Sequence, residues 1–134
     1  MSKRRFVTRK DAIQENHLGR TNYWLCRPGL TEAKDLQLVQ ATIPVGGGHD
    51  FHTHPELEEI IYVLSGEVEQ WVEKESQVLT AGETAHIPKG LVHASFNVGK
   101  TDAVILAILS PGASQGPALV DVSQQEPWAS LRKR

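Results

Sequence analysis

The chain has 134 residues, of which 40% are hydrophobic and 22% are charged. This size and composition suit a single soluble domain with one core, and they exclude a largely disordered chain. Residues 11–131 hold all 16 acidic side chains but only six of the 14 basic ones, so the acidic body lies between basic ends. A nucleic-acid-binding face needs clustered Lys and Arg, which argues against nucleic acid as a partner. The basic ends are interpreted as solvated tails rather than as a nucleic-acid or membrane arm.

The number of cysteines and the lengths of the apolar runs indicate the cellular compartment of the protein. Cys26 is the only cysteine, so no intrachain disulfide can form, and it is interpreted as a small packed residue. The longest apolar runs, residues 60–64 and 103–109, fall far short of the ~20 residues that cross a membrane. No apolar stretch of signal-peptide length follows the basic N-terminus. We therefore expect a cytoplasmic protein without a membrane partner.

Taken in chain order, the predicted elements are almost all short strands. Residues 1–20 are polar and are predicted to form an N-terminal arm with at most one strand. Strands are predicted at 23–27, 35–44, 59–64, 67–73, 77–79, 84–87, 91–98 and 103–109, with Gly and Pro turns between them. Residues 113–134 are predicted to be a C-terminal tail with one short helix that begins near Pro127. This pattern predicts an all-β sandwich or barrel over residues 21–112.

Three of the six histidines lie close together, at His49, His52 and His54. In an extended strand, residues two apart point to the same face, so His52 and His54 would project into one space. Pro55 then ends the strand, and Glu58 and Glu59 follow. This spacing suits a shared metal ion, although two strand histidines that face solvent are an alternative.

Two longer motifs contain these residues. The chain reads Gly46-x5-His52-x-His54-x4-Glu59-x6-Gly66 and then Gly82-x5-Pro88-x-Gly90-x2-His93-x3-Asn97. In both motifs the chain resembles the cupin superfamily, in particular its small single-domain, quercetinase-like members. The resemblance implies a jelly-roll β-barrel, also called a double-stranded β-helix, as a single domain covering about residues 35–110.

The resemblance further implies that His52, His54, Glu59 and His93 bind one divalent metal ion. Glu58 fits a looser spacing, but Glu59 is preferred because it alone leaves six residues before Gly66. Glu59 is also the candidate catalytic residue, as a ligand that doubles as a proton acceptor. Asn97 in this family usually supports the fold near the site and is not a ligand.

The implied ligands limit the candidate metals and reactions. Three imidazoles and one carboxylate favour iron, manganese, nickel, copper, zinc or cobalt over calcium or magnesium. The leading hypothesis is an enzyme that acts on a small organic molecule, with dioxygen insertion the favoured reaction. The alternatives are a lyase, decarboxylase or isomerase that uses the same site without dioxygen, and a non-catalytic binding protein.

Several further side chains have assigned roles. His49 is interpreted as an exposed loop residue rather than a base near the metal, and His86 as a surface hydrogen-bonding residue. Tyr62, Trp71 and Phe96 are interpreted as core or interface residues rather than pocket residues, with Trp71 facing outward into a subunit contact. Trp24 and Trp128 are also candidates for a subunit contact. Edge strands need cover, and similar small cupins commonly dimerise, so we expect a homodimer with twofold symmetry.

Overall fold

The computed structural model describes residues 4–133 of the chain. Eleven strands and one short helix follow one another along this part of the chain. They are β1 (Ile13–His17), β2 (Arg20–Cys26), β3 (Gln37–Ile43), β4 (Gly48–Thr53), β5 (Glu58–Ser65), β6 (Val68–Val72), β7 (Glu75–Leu79), β8 (Thr84–Ile87), β9 (His93–Asn97), β10 (Ala103–Ser110), β11 (Val120–Asp121) and α1 (Trp128–Leu131). Among the described residues, no helix is long and apolar enough to cross a membrane.

The strands form two antiparallel sheets. One has six strands in the order β1-β2-β3-β10-β5-β8, and the other has five in the order β11-β4-β9-β6-β7. From β3 to β11, each strand lies in the other sheet from the strand before it, except for the β6–β7 pair, and this crossing is typical of a jelly roll. The predicted all-β jelly-roll barrel is confirmed.

The two inner faces of the barrel differ in chemistry. The six-stranded sheet contributes apolar side chains with the exception of Glu59, since every second residue of β3, β5 and β10 is buried. The five-stranded sheet instead contributes buried polar side chains, which are His52, Gln70, His93, Ser95 and Asn97. Since buried polar groups require partners, this face has to be organised by hydrogen bonds or by a bound ion.

Glycine allows two close approaches that shape the barrel. Gly66 has a φ of +86° in the turn between β5 and β6, and a Cβ there would lie 2.7 Å from Ala103 Cα. Gly48 begins β4 against β9, and a Cβ there would lie 2.5 Å from the Ser95 carbonyl oxygen. Glycine at these positions therefore lets β4 and β9, which carry histidines, pack side by side.

The terminal segments are more structured than the sequence indicates. β1 and Arg20, the first residue of β2, fall in the stretch assigned to an arm, and β1 and β2 form a hairpin at the edge of the six-stranded sheet. β11 falls in the stretch assigned to a tail and pairs with β4 at the edge of the five-stranded sheet. The predicted short helix is α1, which begins directly after Pro127.

Trp71 and Trp128 both pack on Phe51 within one protomer. Trp71 lies on the outer face of the five-stranded sheet, as expected, with its ring 5.7 Å from Phe51. Trp128 of α1 packs on the same Phe51 at 5.6 Å. The C-terminal segment of the same chain thus covers part of this face, and the expected subunit contact of the two tryptophans stays a prediction.

Candidate metal centre

Both sheets supply the four predicted ligands. His52 on β4 and His93 on β9 are register partners, and His54 follows directly after β4 ends. Glu59 projects inward from β5, which belongs to the opposite sheet. One nitrogen from each of the three histidines lies within 4.8 Å of the other two. Glu59 Oε1 lies 2.9 Å from His93 Nε2 and 3.4 Å from His54 Nε2, so all four side chains converge in the barrel.

Main-chain carbonyls orient all three imidazole rings. The Nδ1 atoms of His52, His54 and His93 lie 2.7, 2.8 and 3.1 Å from the carbonyl oxygens of Asp50, Ala118 and Leu91 respectively. A carbonyl oxygen can only accept, so each Nδ1 carries the proton and donates it. Each Nε2 then keeps a free lone pair, which is the tautomer that a metal-binding histidine needs.

The contact between Glu59 and His93 tests whether a metal fits. Glu59 Oε1 and His93 Nε2 are buried and face each other at 2.9 Å, and neither has a hydrogen-bond partner among residues 4–133. Two donors that each lie about 2.1 Å from one cation, at a right angle, are about 3 Å apart. The residues thus fit a shared cation, which would give both atoms a partner.

Burial keeps the histidines in the form that binds metals. Burial holds the pKa of His52 well below its ordinary value, and His49 and His93 lower it further. Burial also lowers the pKa of His54, although the Glu59 carboxylate opposes this effect. Neutral imidazoles at neutral pH offer their lone pairs to a cation without first losing a proton.

A cavity of about 200 Å³ adjoins the convergence point. One wall consists of apolar side chains from β3, β5 and β10, while His49, Arg20 and Asn22 contribute polar groups. A largely apolar pocket with a few polar groups is the usual form of a small-molecule site. The space therefore suits a small organic molecule next to the candidate ligands.

The two carboxylates of β5, Glu58 and Glu59, bear on the choice of the ligand and on the role of His86. Glu59 is 5% exposed and faces inward, whereas Glu58 is exposed and its Oε2 lies 2.5 Å from His86 Nε2 on the outer face. The choice of Glu59 over Glu58 therefore agrees with the geometry. The surface hydrogen-bonding role assigned to His86 also agrees.

The interpretation of His49 as an exposed loop residue is wrong. His49 lies on β4, and its ring stacks on His52 with 3.5 Å between centroids and 10° between planes. Burial lowers its pKa to about 2, with a further contribution from the Arg20 guanidinium. The three preceding glycines suggested a loop, but Gly48 pairs with Phe96 and already belongs to the strand.

The remaining candidates take positions away from the ligands. Asn97 Nδ2 donates to the carbonyl oxygens of Ile43 and Thr101, and its Oδ1 accepts from the Gly99 amide. Phe96 packs with Phe51 beneath α1, and Tyr62 lies 36% exposed on the outer face of β5. None of the three side chains lines the cavity.

Sequence reasoning missed two features of the site. Arg20 lines the cavity from β2, and the Ala118 carbonyl orients His54 from the segment before β11. The sequence alone could have pointed to Arg20, since it is one of only six basic residues in the acidic body of the chain. The role of Ala118 comes from a main-chain atom, which no side-chain pattern reveals.

Known proteins share this architecture. Oxalate oxidase 1 of Hordeum vulgare is 39% identical over 103 residues, which cover 71% of this chain and 49% of that protein. Oxalate oxidase GF-3.8 of Triticum aestivum is also 39% identical over 103 residues, covering 71% of this chain and 44% of that protein. The chain thus spans about half the length of the curated relatives it matches.

Solved structures agree at the level of the fold. The structure of KdgF from Halomonas sp. has a TM-score of 0.72 at 19% identity, covering 84% of this chain and 97% of that one. A recombinant oxalate oxidase in complex with glycolate has a TM-score of 0.66 at 30% identity, covering 81% of this chain and 57% of that one. The Cupin domain family matches residues 39–109, which include both motifs. The chain belongs to the cupin family.

Proposed function

We propose that this cupin is a metal-dependent enzyme that oxidises a small organic molecule with dioxygen. The observation that carries the proposal is the convergence of three correctly protonated imidazoles and Glu59 Oε1 at one buried point. The likeness to oxalate oxidases supports an oxidative reaction on a small substrate. His52, His54, Glu59 and His93 would hold the ion, for which iron, manganese, nickel, copper, cobalt and zinc are the candidates.

The chain's own residues have distinct tasks in this proposal. A bound transition metal would supply Lewis acidity and open positions for oxygen ligands. The apolar wall from β3, β5 and β10 excludes water and seats the carbon skeleton of the substrate. The Glu59 carboxylate would bind the ion and, on leaving it, would take up the proton that the substrate loses. His49 is neutral because its pKa is low, so it would line the cavity as a hydrogen-bonding group rather than act as a base.

Metal uptake is the first test. The purified protein is incubated separately with each candidate ion, desalted and subjected to elemental analysis. We expect one ion per chain for the wild type and none for the variant His52→Ala/His54→Ala. The matched control is His86→Ala, which removes an exposed histidine outside the barrel and should bind metal normally. Wild-type protein that retains no ion would contradict the proposal.

Dioxygen uptake tests the reaction. Each metal-loaded form is mixed with a panel of small enols, diols and organic acids in an oxygen-electrode cell. We expect substrate-dependent dioxygen consumption that Glu59→Gln abolishes and Glu58→Gln leaves unchanged. Turnover under strict anaerobiosis would instead identify a lyase, decarboxylase or isomerase. Metal-loaded protein that turns over no member of the panel in either atmosphere would favour a binding protein.

We also propose that the protein forms a homodimer through the six-stranded sheet. The outer face of β5 exposes Ile60, Tyr62 and Leu64, which are 40%, 36% and 40% exposed, and β1 is one edge of this sheet. Contiguous exposed apolar surface is typical of an interface. Light scattering at micromolar concentration should give twice the chain mass for wild type and the chain mass for Tyr62→Glu/Leu64→Glu. Val78→Glu, on the other sheet, is the control, and a monomeric wild type would refute the dimer.

A further inference from the structure

Arg20 is a half-buried cation that forms no ion pair with a carboxylate among the described residues. It begins β2 and lines the cavity next to the candidate metal ligands. Its Nε is buried and makes no hydrogen bond to any residue that the structure describes. A buried guanidinium nitrogen without an acceptor is costly, because the protein has removed it from water without replacing the lost hydrogen bond.

Glu15, a carboxylate that also lines this cavity, is already engaged by other side chains. Glu15 accepts a hydrogen bond of 2.7 Å from Trp24 Nε1, and its carboxylate lies 3.8 Å from Arg27 and 3.5 Å from His17. Glu15 acts on Arg20 only through longer-range attraction, since no carboxylate lies within 4.0 Å of the Arg20 side chain among residues 4–133. The cavity thus holds a guanidinium that the fold leaves available.

The charge of the cavity selects for an anion. A divalent ion and the Arg20 guanidinium together outweigh the carboxylates of Glu59 and Glu15, so a net positive charge remains in a cavity whose wall is otherwise mainly apolar. Arg20 is the sole Lys or Arg among the described residues that line this cavity. One planar guanidinium matches one carboxylate through paired hydrogen bonds, whereas phosphate binding usually recruits several donors.

We propose that Arg20 binds a carboxylate of the substrate and thereby selects a small organic acid. This inference rests on the proposed function and names its substrate class: a carboxylate that also carries a second oxygen for the metal, such as a hydroxy acid, a keto acid or a dicarboxylate. Arg20 holds one end of the molecule from β2 while the ligands of β4, β5 and β9 face the other. The cavity volume of about 200 Å³ limits the acid to a few carbon atoms beyond these two groups.

Calorimetric titration with matched ligands tests this inference. Manganese-loaded protein under nitrogen is titrated with glycolate and with glycolamide, which has the same shape and no charge; oxalate, pyruvate, succinate and inorganic phosphate complete the panel. We expect wild type to bind glycolate at least about tenfold more tightly than glycolamide, with phosphate weaker than glycolate. Arg20→Gln should lose about tenfold or more in glycolate affinity and change little toward glycolamide.

Two further variants serve as controls. Arg27→Gln removes an arginine that stacks on Trp24 at 4.8 Å and does not line the cavity, so it should bind glycolate like wild type. Arg20→Lys keeps the charge and should retain part of the affinity, which covers the case in which Arg20→Gln does not fold. Circular dichroism establishes which variants are folded.

The outcomes separate this inference from the proposed function. Unchanged glycolate affinity in folded Arg20→Gln, or equal wild-type affinity for glycolate and glycolamide, would overturn the role of Arg20. Protein that takes up one metal ion but binds none of the acids overturns the inference and leaves the metal site standing. Protein that takes up no metal overturns the proposed function. In that case, glycolate titrations of metal-free wild type and metal-free Arg20→Gln still decide whether Arg20 binds carboxylates.

Discussion

The Nδ1 protons of His52, His54 and His93 are each fixed by a main-chain carbonyl. The residue types and their spacing were predictable from the sequence, because both motifs fix which side chains approach one another. The tautomers were not predictable, since they depend on the carbonyls of Asp50, Leu91 and Ala118. The geometry of these oxygens, and with it the direction of each lone pair, follows only from the folded backbone.

Replacing Glu59 with Gln tests the carboxylate at the convergence point. The amide keeps the shape of the side chain but removes the negative charge and one lone-pair oxygen, so we expect metal affinity to fall by at least about tenfold. Competition with a chelator of known affinity measures the change. Glu58→Gln is the matched control, because the neighbouring carboxylate faces outward to His86. Equal affinity for the two variants would show that Glu59 is not a ligand.

Replacing Asn97 with Ala tests a structural role close to the ligands. The side chain satisfies the carbonyls of Ile43 and Thr101 and the amide of Gly99, and these groups would lose their partner. We expect the free energy of unfolding to fall by about 1–3 kcal/mol, measured by urea denaturation. Asn16→Ala, at an exposed asparagine of β1, should change it by less than about 0.5 kcal/mol. A similar loss in both variants would contradict this role.

At the scale of elements, predictability follows apolar runs and the turns that bound them. The strands at 59–64 and 103–109 were predicted almost at their observed bounds because continuous apolar runs mark them, and the strand at 84–87 because Gly and Pro turns lie on either side. β1 reads IQENH and lies at a sheet edge with little to bury, so it has no such pattern. β11 has two residues, too few for any periodicity, and is held by pairing with β4.

The C-terminal segment links the outer face of the five-stranded sheet to the metal centre. Trp128 packs on Phe51, and Arg132 lies 3.9 Å above the ring of Phe96 while its Nε donates to Glu69 at 2.6 Å. The same segment supplies the Ala118 carbonyl and lets β11 pair with His52 and Thr53. Packing outside the barrel thereby affects the orientation of ligands inside it.

Replacing Trp128 with Ala tests this link. We expect a loss of about 2 kcal/mol in the free energy of unfolding, less than for a fully buried tryptophan, because Trp128 is only half-buried. Metal affinity should also fall, as the Ala118 carbonyl holds His54 less firmly. Phe6→Ala, at an aromatic residue that is 82% exposed, is the control for both measurements. If Trp128→Ala is destabilised but binds metal as tightly as wild type, the packing of α1 does not affect the metal site.

For the whole molecule, burying neutral histidines makes the metal-free protein sensitive to acid. The pKa values of His49, His52 and His54 all lie below their ordinary value of 6.5 in the folded state. Below about pH 6.5 the unfolded chain therefore binds more protons than the folded one, and stability falls as the pH decreases. Each histidine that stays neutral contributes a slope of up to about 1.4 kcal/mol per pH unit.

Urea denaturation of the metal-free protein at pH 7.5 and 5.5 measures this dependence. We expect a clearly lower midpoint at pH 5.5 and a smaller difference in His49→Gln, which removes one of the buried groups. His86→Ala, at a histidine on the outer face, should keep the wild-type difference. An equal midpoint at both pH values in wild type would contradict the protonation argument.

The orientation of His54 depends on an atom far along the chain, which bears on when the site can form during translation. The oxygen that aligns its ring lies 64 residues further along the chain, so a nascent chain that exposes both histidine motifs still lacks this support. Translation must deliver the last strand before the pocket matures, and the ion would then be captured after synthesis of the barrel rather than during it.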